Sequence, residues 1–351
     1  MDTFCFAHIS DLHFSQDANR LKPLIQTLSG GEERREASLE TWINAHQYGL
    51  KRNLIEPPSH SSELAFELSN VLYNYHSYVD PFDFILVTGD IATTGSVNDL
   101  TIGNEFLFGD ANHKNNQAVW RVGEYISPLS RLDVDIFLLP GNHDRYKSKR
   151  YLYFPANQNF DSIFSHAWSP KYNICGWYKD RKDSNEKLAI FLADFSFKSV
   201  SDGSYSYSEK YKGGIWGQGR VYQAMITYLQ YVTRKAHEGG YAVIWATHFA
   251  PEFPDIDDKL KLLGDAYIIR AAKEAGVENI FCGHTHNQKS YLASSVGGVN
   301  VYCAASATEF VFPPSPNENG FQVMKLVVNG RKIERVMQKE IMSDEYGSYN
   351  Q

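Results

Sequence analysis

The 351 residues contain only four cysteines, Cys5, Cys175, Cys282 and Cys303. No two of them form a Cys-x-x-Cys pair, which excludes a zinc knuckle or a dithiol redox motif. Cys5 and Cys282 lie inside apolar runs, so the cysteines read as small buried hydrophobes in a reducing compartment. No apolar run approaches the roughly 18 residues a membrane helix needs. The N-terminus enters an apolar run at once, without the basic segment and hydrophobic stretch of a secretory leader. A cytoplasmic protein without a membrane partner is therefore expected. Excess positive charge is also missing, since the net charge is −7. A dedicated duplex-DNA binder would show a basic face, so a nucleic-acid partner is not favoured. Bound cations could still supply local positive charge for a nucleotide. Internal repeats and low-complexity tracts are absent.

What the chain does have is a set of short apolar runs that stop at polar residues of one chemical kind. Phe4 to Ser10 leads into Asp11-Leu12-His13, and Phe84 to Thr88 into Gly89-Asp90. Val134 to Pro140 leads into Gly141-Asn142-His143-Asp144. Ala242 to Thr247 leads into His248, and Glu278 to Cys282 into Gly283-His284-Thr285-His286. Runs of this length, rich in Val, Ile and Phe, read as buried strands. Ligands of open α/β sheets sit beyond the carboxyl ends of the strands, so the polar residues gather where such folds keep their chemistry.

Helical patterns alternate with these runs, which makes the fold class α/β. Leu39, Ile43, His46, Leu50 and Leu54 repeat at helical spacing until Pro57-Pro58. Ser61 is placed to cap a second helix with Leu64, Leu68, Val71, Leu72 and Tyr75 on one face. Further helices are expected over 119–131, 220–237 and 259–275, the last two closed by Gly239-Gly240 and Gly276. Residues 14–80 are longer than one crossover needs and read as a helical insertion that could serve as a lid or as a packed surface segment. The stretch from Tyr146 to Tyr222 is dense in aromatics that either stack a nucleobase or fill the core. Residues 296–345 are β-rich, with a hairpin expected around Asn329-Gly330.

Taken singly the polar motifs say little. An Asp-x-His can cap a helix, and a Gly-Asp is often a turn. Together they supply imidazoles from His13, His143, His248, His284 and His286, carboxylates from Asp11 and Asp90, and the amide of Asn142. Mixed imidazole and carboxylate without thiolate suits Mn, Fe, Zn, Co or Ni. The donors are too many for one ion, whereas two ions sharing a carboxylate account for them. The bases just after Gly-Asn-His-Asp, Arg145, Lys147, Lys149 and Arg150, could contact a substrate phosphate or form a solvated loop.

The order Asp-x-His, Gly-Asp, Gly-Asn-His-Asp, His, Gly-His-x-His resembles the calcineurin-like metallophosphoesterase superfamily from Asp11 to His286. The resemblance implies a single domain over 1–351, built as a four-layer α/β/β/α sandwich of two mixed β-sheets flanked by helices. It further implies that Asp11, His13 and His286 hold one metal, that Asn142, His248 and His284 hold the other, and that Asp90 bridges them. His143 becomes the general acid or a donor to the substrate phosphate, alongside Asn142. Asp144 is expected to hydrogen-bond His143 and fix its tautomer. A metal-bridging hydroxide would attack phosphorus in line, with His143 protonating the leaving group. Many relatives acting on small diesters place an acidic or amide residue soon after Gly-Asp, where this chain has Ile91-Ala92-Thr93-Thr94-Gly95.

The leading expectation is a phosphodiesterase acting on a cyclic nucleotide or another small diester. A phosphomonoesterase or protein phosphatase comes second and a nuclease third. The superfamily also includes a retromer subunit that works as a protein-contact scaffold; such proteins usually lack ligands or the acid, and none is missing here.

Overall fold

The computed structural model describes residues 2–15, 60–109, 127–145, 158–181, 184–196, 218–254, 256, 260–293, 295, 297–309, 319–344 and 349. In chain order its elements are β1 (Asp2–Ile9), α1 (Ser62–Asn74), β2 (Phe84–Val87), α2 (Val97–Phe108), β3 (Asp135–Leu138), α3 (Asn142–Arg145) and α4 (Asn159–Ile163). They continue with β4 (Ile174–Asp180), β5 (Lys187–Ala193), β6 (Gly219–Arg220), α5 (Gln223–Glu238), β7 (Ala242–Thr247), β8 (Leu262–Leu263) and α6 (Asp265–Ala275). The last are β9 (Asn279–Cys282), β10 (Lys289–Leu292), β11 (Asn300–Cys303), β12 (Gly320–Asn329) and β13 (Lys332–Met342).

Two mixed sheets carry the fold. One has the order β13-β12-β1-β2-β3, the other β10-β11-β9-β7-β5-β4. β1, β2 and β3 run parallel, as do β5, β7, β9 and β11, and the remaining pairings are antiparallel. The parallel registers level the carboxyl ends. Ile9 lies beside Val87 and Val87 beside Leu138, while Ala193 lies beside Thr247 and Cys282 beside Cys303. All five motif-bearing runs are therefore strands that end at one rim.

Strand side chains alternate between faces, and the second sheet uses both. Leu188, Ile190 and Leu192 of β5 and Ala242, Ile244 and Ala246 of β7 share a core with the first sheet and with α1 and α2. Ala189, Phe191, Val243 and Trp245 pack instead with α5 and α6. Covering both faces explains why β7 is buried throughout and apolar up to Thr247 rather than alternating. Phe6 stacks on Phe84 at 4.5 Å within the first sheet and meets Phe281 of the second edge-on at 5.3 Å.

The helix at Ser61 forms as its sequence pattern implies. The Ser61 hydroxyl accepts from the Leu64 N–H at 3.2 Å, and Leu64, Leu68, Val71, Leu72 and Tyr75 are buried. The helix expected over 39–54 lies outside the described residues, as do residues 119–126 of the one before β3. Of that span, Leu129–Leu132 forms a single 3₁₀ turn. Both later helices start downstream of their expected positions, α5 at Gln223 and α6 at Asp265. The cause is shared: β6 and β8 pair with each other, the Arg220 N–H binds Phe195 O, and the Val221 N–H binds Leu263 O. Residues held extended in that ladder cannot also take helical backbone angles. The C-terminal hairpin forms with Asn329 opposite Lys332, so its turn is Gly330-Arg331, one residue later than expected. β12 then pairs with β1, which places this late hairpin in the first sheet. In the aromatic stretch, Phe160, Phe164 and Trp168 fill the core, whereas Tyr172 and Tyr178 are exposed.

β7 delivers His248 to the rim and is pinned to α5 by the buried Trp245 Nε1–H, which donates to Thr233 Oγ1 at 2.9 Å. Thr233→Val keeps the shape but strands that N–H. Urea unfolding should show a loss of about 1–3 kcal/mol with an unchanged m value; an unaltered midpoint would mean the bond contributes nothing.

Candidate metal centre

Beyond the strand ends the backbone keeps its pairing for a few residues, which carries the polar motifs into one space. The Asp11 N–H binds Gly89 O at 3.0 Å, the His13 N–H binds Asp90 O at 3.0 Å, and the Gly283 N–H binds His248 O at 2.9 Å. Nine described non-glycine residues have positive φ, and five are motif residues: Asp11, His13, Asp90, His284 and His286. The left-handed region is uncommon outside glycine and concentrates at functional sites. Two glycines make the close contacts possible. A Cβ on Gly141 would lie 2.1 Å from Asp90 Oδ1, and one on Gly283 would lie 1.8 Å from Ser10 Oγ and 2.5 Å from Asp11 Oδ2.

Asp11, His13 and His286 come together at one side of the site. His13 Nε2 and His286 Nε2 are 3.1 Å apart, and Asp11 Oδ1 lies 3.4 Å from His286 Nε2. Asp11 Oδ2 accepts from the His284 N–H at 2.9 Å. On the other side His248 Nε2 lies 3.0 Å from Asn142 Oδ1, 3.1 Å from His284 Nδ1 and 3.2 Å from Asp90 Oδ2. Between the two, ligand atoms of His13, Asp90 and His143 fall within 4.8 Å of one another. Asp90 Oδ1 accepts from the His143 N–H at 2.8 Å.

The far nitrogens of His248, His284 and His286 are engaged, whereas His13 Nδ1 is buried without a hydrogen-bond partner. His248 Nδ1 faces Thr88 O at 2.8 Å, and His284 Nε2 faces Leu260 O at 3.0 Å. His286 Nδ1 meets Glu309 Oε2 at 2.5 Å. Each partner is an acceptor, so the far nitrogen carries a hydrogen, and the ring in its neutral form presents the lone pair of the near nitrogen inward. Lone pairs from His248, His284 and Asn142 that face one another at about 3 Å repel unless a cation, or a proton, lies between them. Asp11 Oδ1 is buried with no hydrogen-bond partner. Inward lone pairs, an orphaned carboxylate oxygen and an N/O donor set together fit two metal ions.

The electrostatics agree. Burial, with nearby imidazoles, pulls His13 down to about 4 and His284 to about 3, so both are neutral and ready to bind a metal. Burial also works against charge on His248, but Asp90 beside it wins and raises it to about 9. Burial alone would raise Asp11, yet the adjacent His286 brings it down to about 2. Burial would likewise raise Asp90, but His248 and His143 hold it well below the usual carboxylate range.

Two sequence expectations need correction. Asp144 does not orient His143. Its carboxylate accepts from the N–H groups of Ile91 (3.1 Å), Ala92 (2.8 Å) and Gly141 (2.8 Å), so it organises the loops instead. The ring of His143 turns the other way, with Nδ1 on Thr93 O at 2.9 Å. Three amides hold Asp144 in place, while burial raises its pKa to about 7. Arg145 is not available to a substrate. It is 1% exposed and bonded to both Asp161 and Asp194. Lys147, Lys149 and Arg150 lie outside the described residues. One site residue carries no sequence signal: Glu309, an acid between β11 and β12 that no local pattern connects to His286.

The raised pKa of His248 makes metal uptake proton-linked. Burial opposes charge on His286 as well, yet Glu309 beside it raises that ring well above its usual range; at pH 7 metal entry therefore releases protons from both rings, and the His248 share fades as pH rises through about 9. Titration calorimetry with Mn²⁺ in buffers of different ionisation enthalpy should report net proton release at pH 7. A buffer-independent heat would contradict the assignment.

Two solved structures share the fold at low identity. A dimetal phosphatase from Danio rerio matches with a TM-score of 0.51 at 13% identity, over 95% of this chain and 98% of its own. GAP50, described as the anchor in the inner membrane complex of Plasmodium, also matches with a TM-score of 0.51, at 12% identity, over 97% of this chain and 85% of its own. A search of curated proteins found no match. The model of the calcineurin-like phosphoesterase family matches residues 5–288. A match over that span, together with the rim of metal-ligating residues, shows that the chain belongs to the calcineurin-like phosphoesterase family of metal-dependent phosphoester hydrolases.

Proposed function

We propose that the chain uses two metal ions, of Mn, Fe or Zn, to hydrolyse a small phosphodiester such as a cyclic nucleotide. In this reading Asp11, His13 and His286 hold one ion, Asn142, His248 and His284 hold the other, and Asp90 serves both. The supporting observation is the convergence of these seven side chains at one rim, with the outer nitrogens of His248, His284 and His286 tied back to oxygen acceptors. Bound metals would supply Lewis acidity, activating water near neutral pH and neutralising phosphoryl oxygens.

The chain's own contribution is a positioned proton. With the Nδ1–H of His143 held on Thr93 O, its Nε2 is the nitrogen that can face a leaving oxygen and protonate it. A diester is favoured over a monoester by the commitment of Arg145. A monoester dianion would draw on a nearby guanidinium, yet this one is turned to Asp161 and Asp194; a diester carries one negative charge fewer. We also take 1–351 as one domain, since β12 completes the sheet that β1 begins.

Metal-loaded protein should cleave bis-nitrophenyl phosphate and cyclic AMP faster than nitrophenyl phosphate or single-stranded DNA, with Mn²⁺, Fe²⁺ and Zn²⁺ compared in parallel. Turnover of the monoester alone would replace the diester reading. No turnover of any ester by metal-bound protein would favour a scaffold.

Two substitutions test the roles. Asp90→Ala should lose both metals by elemental analysis, and full occupancy would remove Asp90 from its shared position. His143→Ala should slow esters of poor leaving groups by about 10²–10⁴-fold and nitrophenyl esters far less, because nitrophenolate needs little protonation. Equal slowing of both would make His143 a substrate-positioning group.

A further inference from the structure

We infer that Arg145 is a positioning residue for His143, acting through the helical turn that carries both; this rests on the general-acid role proposed above. α3 is one turn of four residues. A helix this short has almost no hydrogen bonding of its own and cannot hold its shape unaided. Its side chains supply the missing constraint. Asn142 faces His248, His143 faces Thr93 O, and Asp144 collects three backbone N–H groups. Arg145 ties down the end of the turn that Asp144 does not reach.

The tie is rigid in two directions. Arg145 donates through Nη1 and Nη2 to the two oxygens of Asp161 at 2.8 and 2.9 Å. It donates through Nε and Nη2 to Asp194 Oδ2 at 3.2 and 2.8 Å. A planar fork fixed along both edges sets orientation as well as distance. Both acids are anchored in turn. Asp194 follows β5 directly, and its Oδ1 accepts from the Ser196 N–H at 2.8 Å. Asp161 belongs to α4 and accepts from Trp168 Nε1 at 3.1 Å. Asn159, also in α4, reaches Gly95 O at 2.9 Å, close to the Thr93 carbonyl that orients His143. The Phe160 ring lies 5.3 Å from the guanidinium carbon. Arg145 thus references the His143 turn to the second sheet and to α4, whereas Asp90 and Thr93 reference it to the first sheet's loops. A proton donor set by both sheets keeps its place relative to metals held between them. Displacement by about 1 Å costs about 10²-fold in rate.

The test is Arg145→Lys, which keeps the charge and loses the fork, measured beside His143→Ala with an alkyl ester and a nitrophenyl ester of the same phosphodiester. Arg145→Lys should slow the alkyl ester by about 10–100-fold and the nitrophenyl ester by less than about threefold, with metal content unchanged. Equal slowing of both esters, or loss of metal, would show that Arg145 supports the fold or the metals and not the donor. Should Arg145→Lys fail to fold, Asp161→Asn removes charge from one arm and leaves the Asp194 pair. It should show the same selectivity at smaller size, and its absence overturns the inference. If His143→Ala is selective and neither of these variants is, Arg145 alone is misassigned. If His143→Ala slows both esters alike, the general-acid reading falls and the role of Arg145 falls with it.

Discussion

Buried imidazoles and carboxylates crowded around one space constrain everything else in this protein. Taking such groups out of water is costly unless each is hydrogen-bonded or paired. The structure meets that cost on the outer side of the site, where Thr88 O, Leu260 O, Thr93 O and Glu309 each engage a ring nitrogen. On the inner side it leaves the lone pairs facing one another, a geometry that makes sense only around positive charge. In the metal-free chain the proton on His248 provides part of that charge.

The two sheets are needed because no single sheet presents enough donors at one point. Asp11, His13, Asp90, Asn142 and His143 come from the ends of β1, β2 and β3, whereas His248, His284 and His286 come from the ends of β7 and β9. Close contact between the rims is carried by backbone and side-chain bonds that cross from sheet to sheet, including His284 N–H to Asp11 and His248 Nδ1 to Thr88 O. Gly141 and Gly283 leave room for the carboxylates of Asp90 and Asp11. Left-handed backbone at alternate residues of Asp-Leu-His and of His-Thr-His turns both polar side chains of each motif into the site, while Leu12 is buried. The same strategy extends outward through Asp144 and Arg145. Their conspicuous charges hold the loops of the site together.

Much of this was legible in the chain itself. The buried strands and their polar ends could be read because an apolar run interrupted by Gly-Asp, Gly-Asn-His-Asp or Gly-His-Thr-His is a local signal. The Ser61 cap and the buried face of α1 are local too. Donor chemistry follows from residue type alone, so a pair of borderline metals could be expected before any fold was known. The partners of those donors could not. Thr88, Thr93 and Leu260 contribute main-chain carbonyls, which every residue has, and Glu309 sits 23 residues from the histidine it contacts.

Arg145 shows the same division. Next to a metal motif and followed by Lys147, Lys149 and Arg150, it carries the local mark of a phosphate contact. Only the fold brings Asp161 and Asp194 to it, 16 and 49 residues away, and turns an apparent substrate contact into a buried brace. The start of α5 and of α6 was likewise decided at long range, by a two-residue pairing between β6 and β8. The sequence by itself determined which atoms could bind metal and at which strand ends they stand, because those properties belong to single residues and short patterns. The tertiary structure alone decided which nitrogen of each ring points inward and which charges are spent on the scaffold, because both depend on partners distant in the chain.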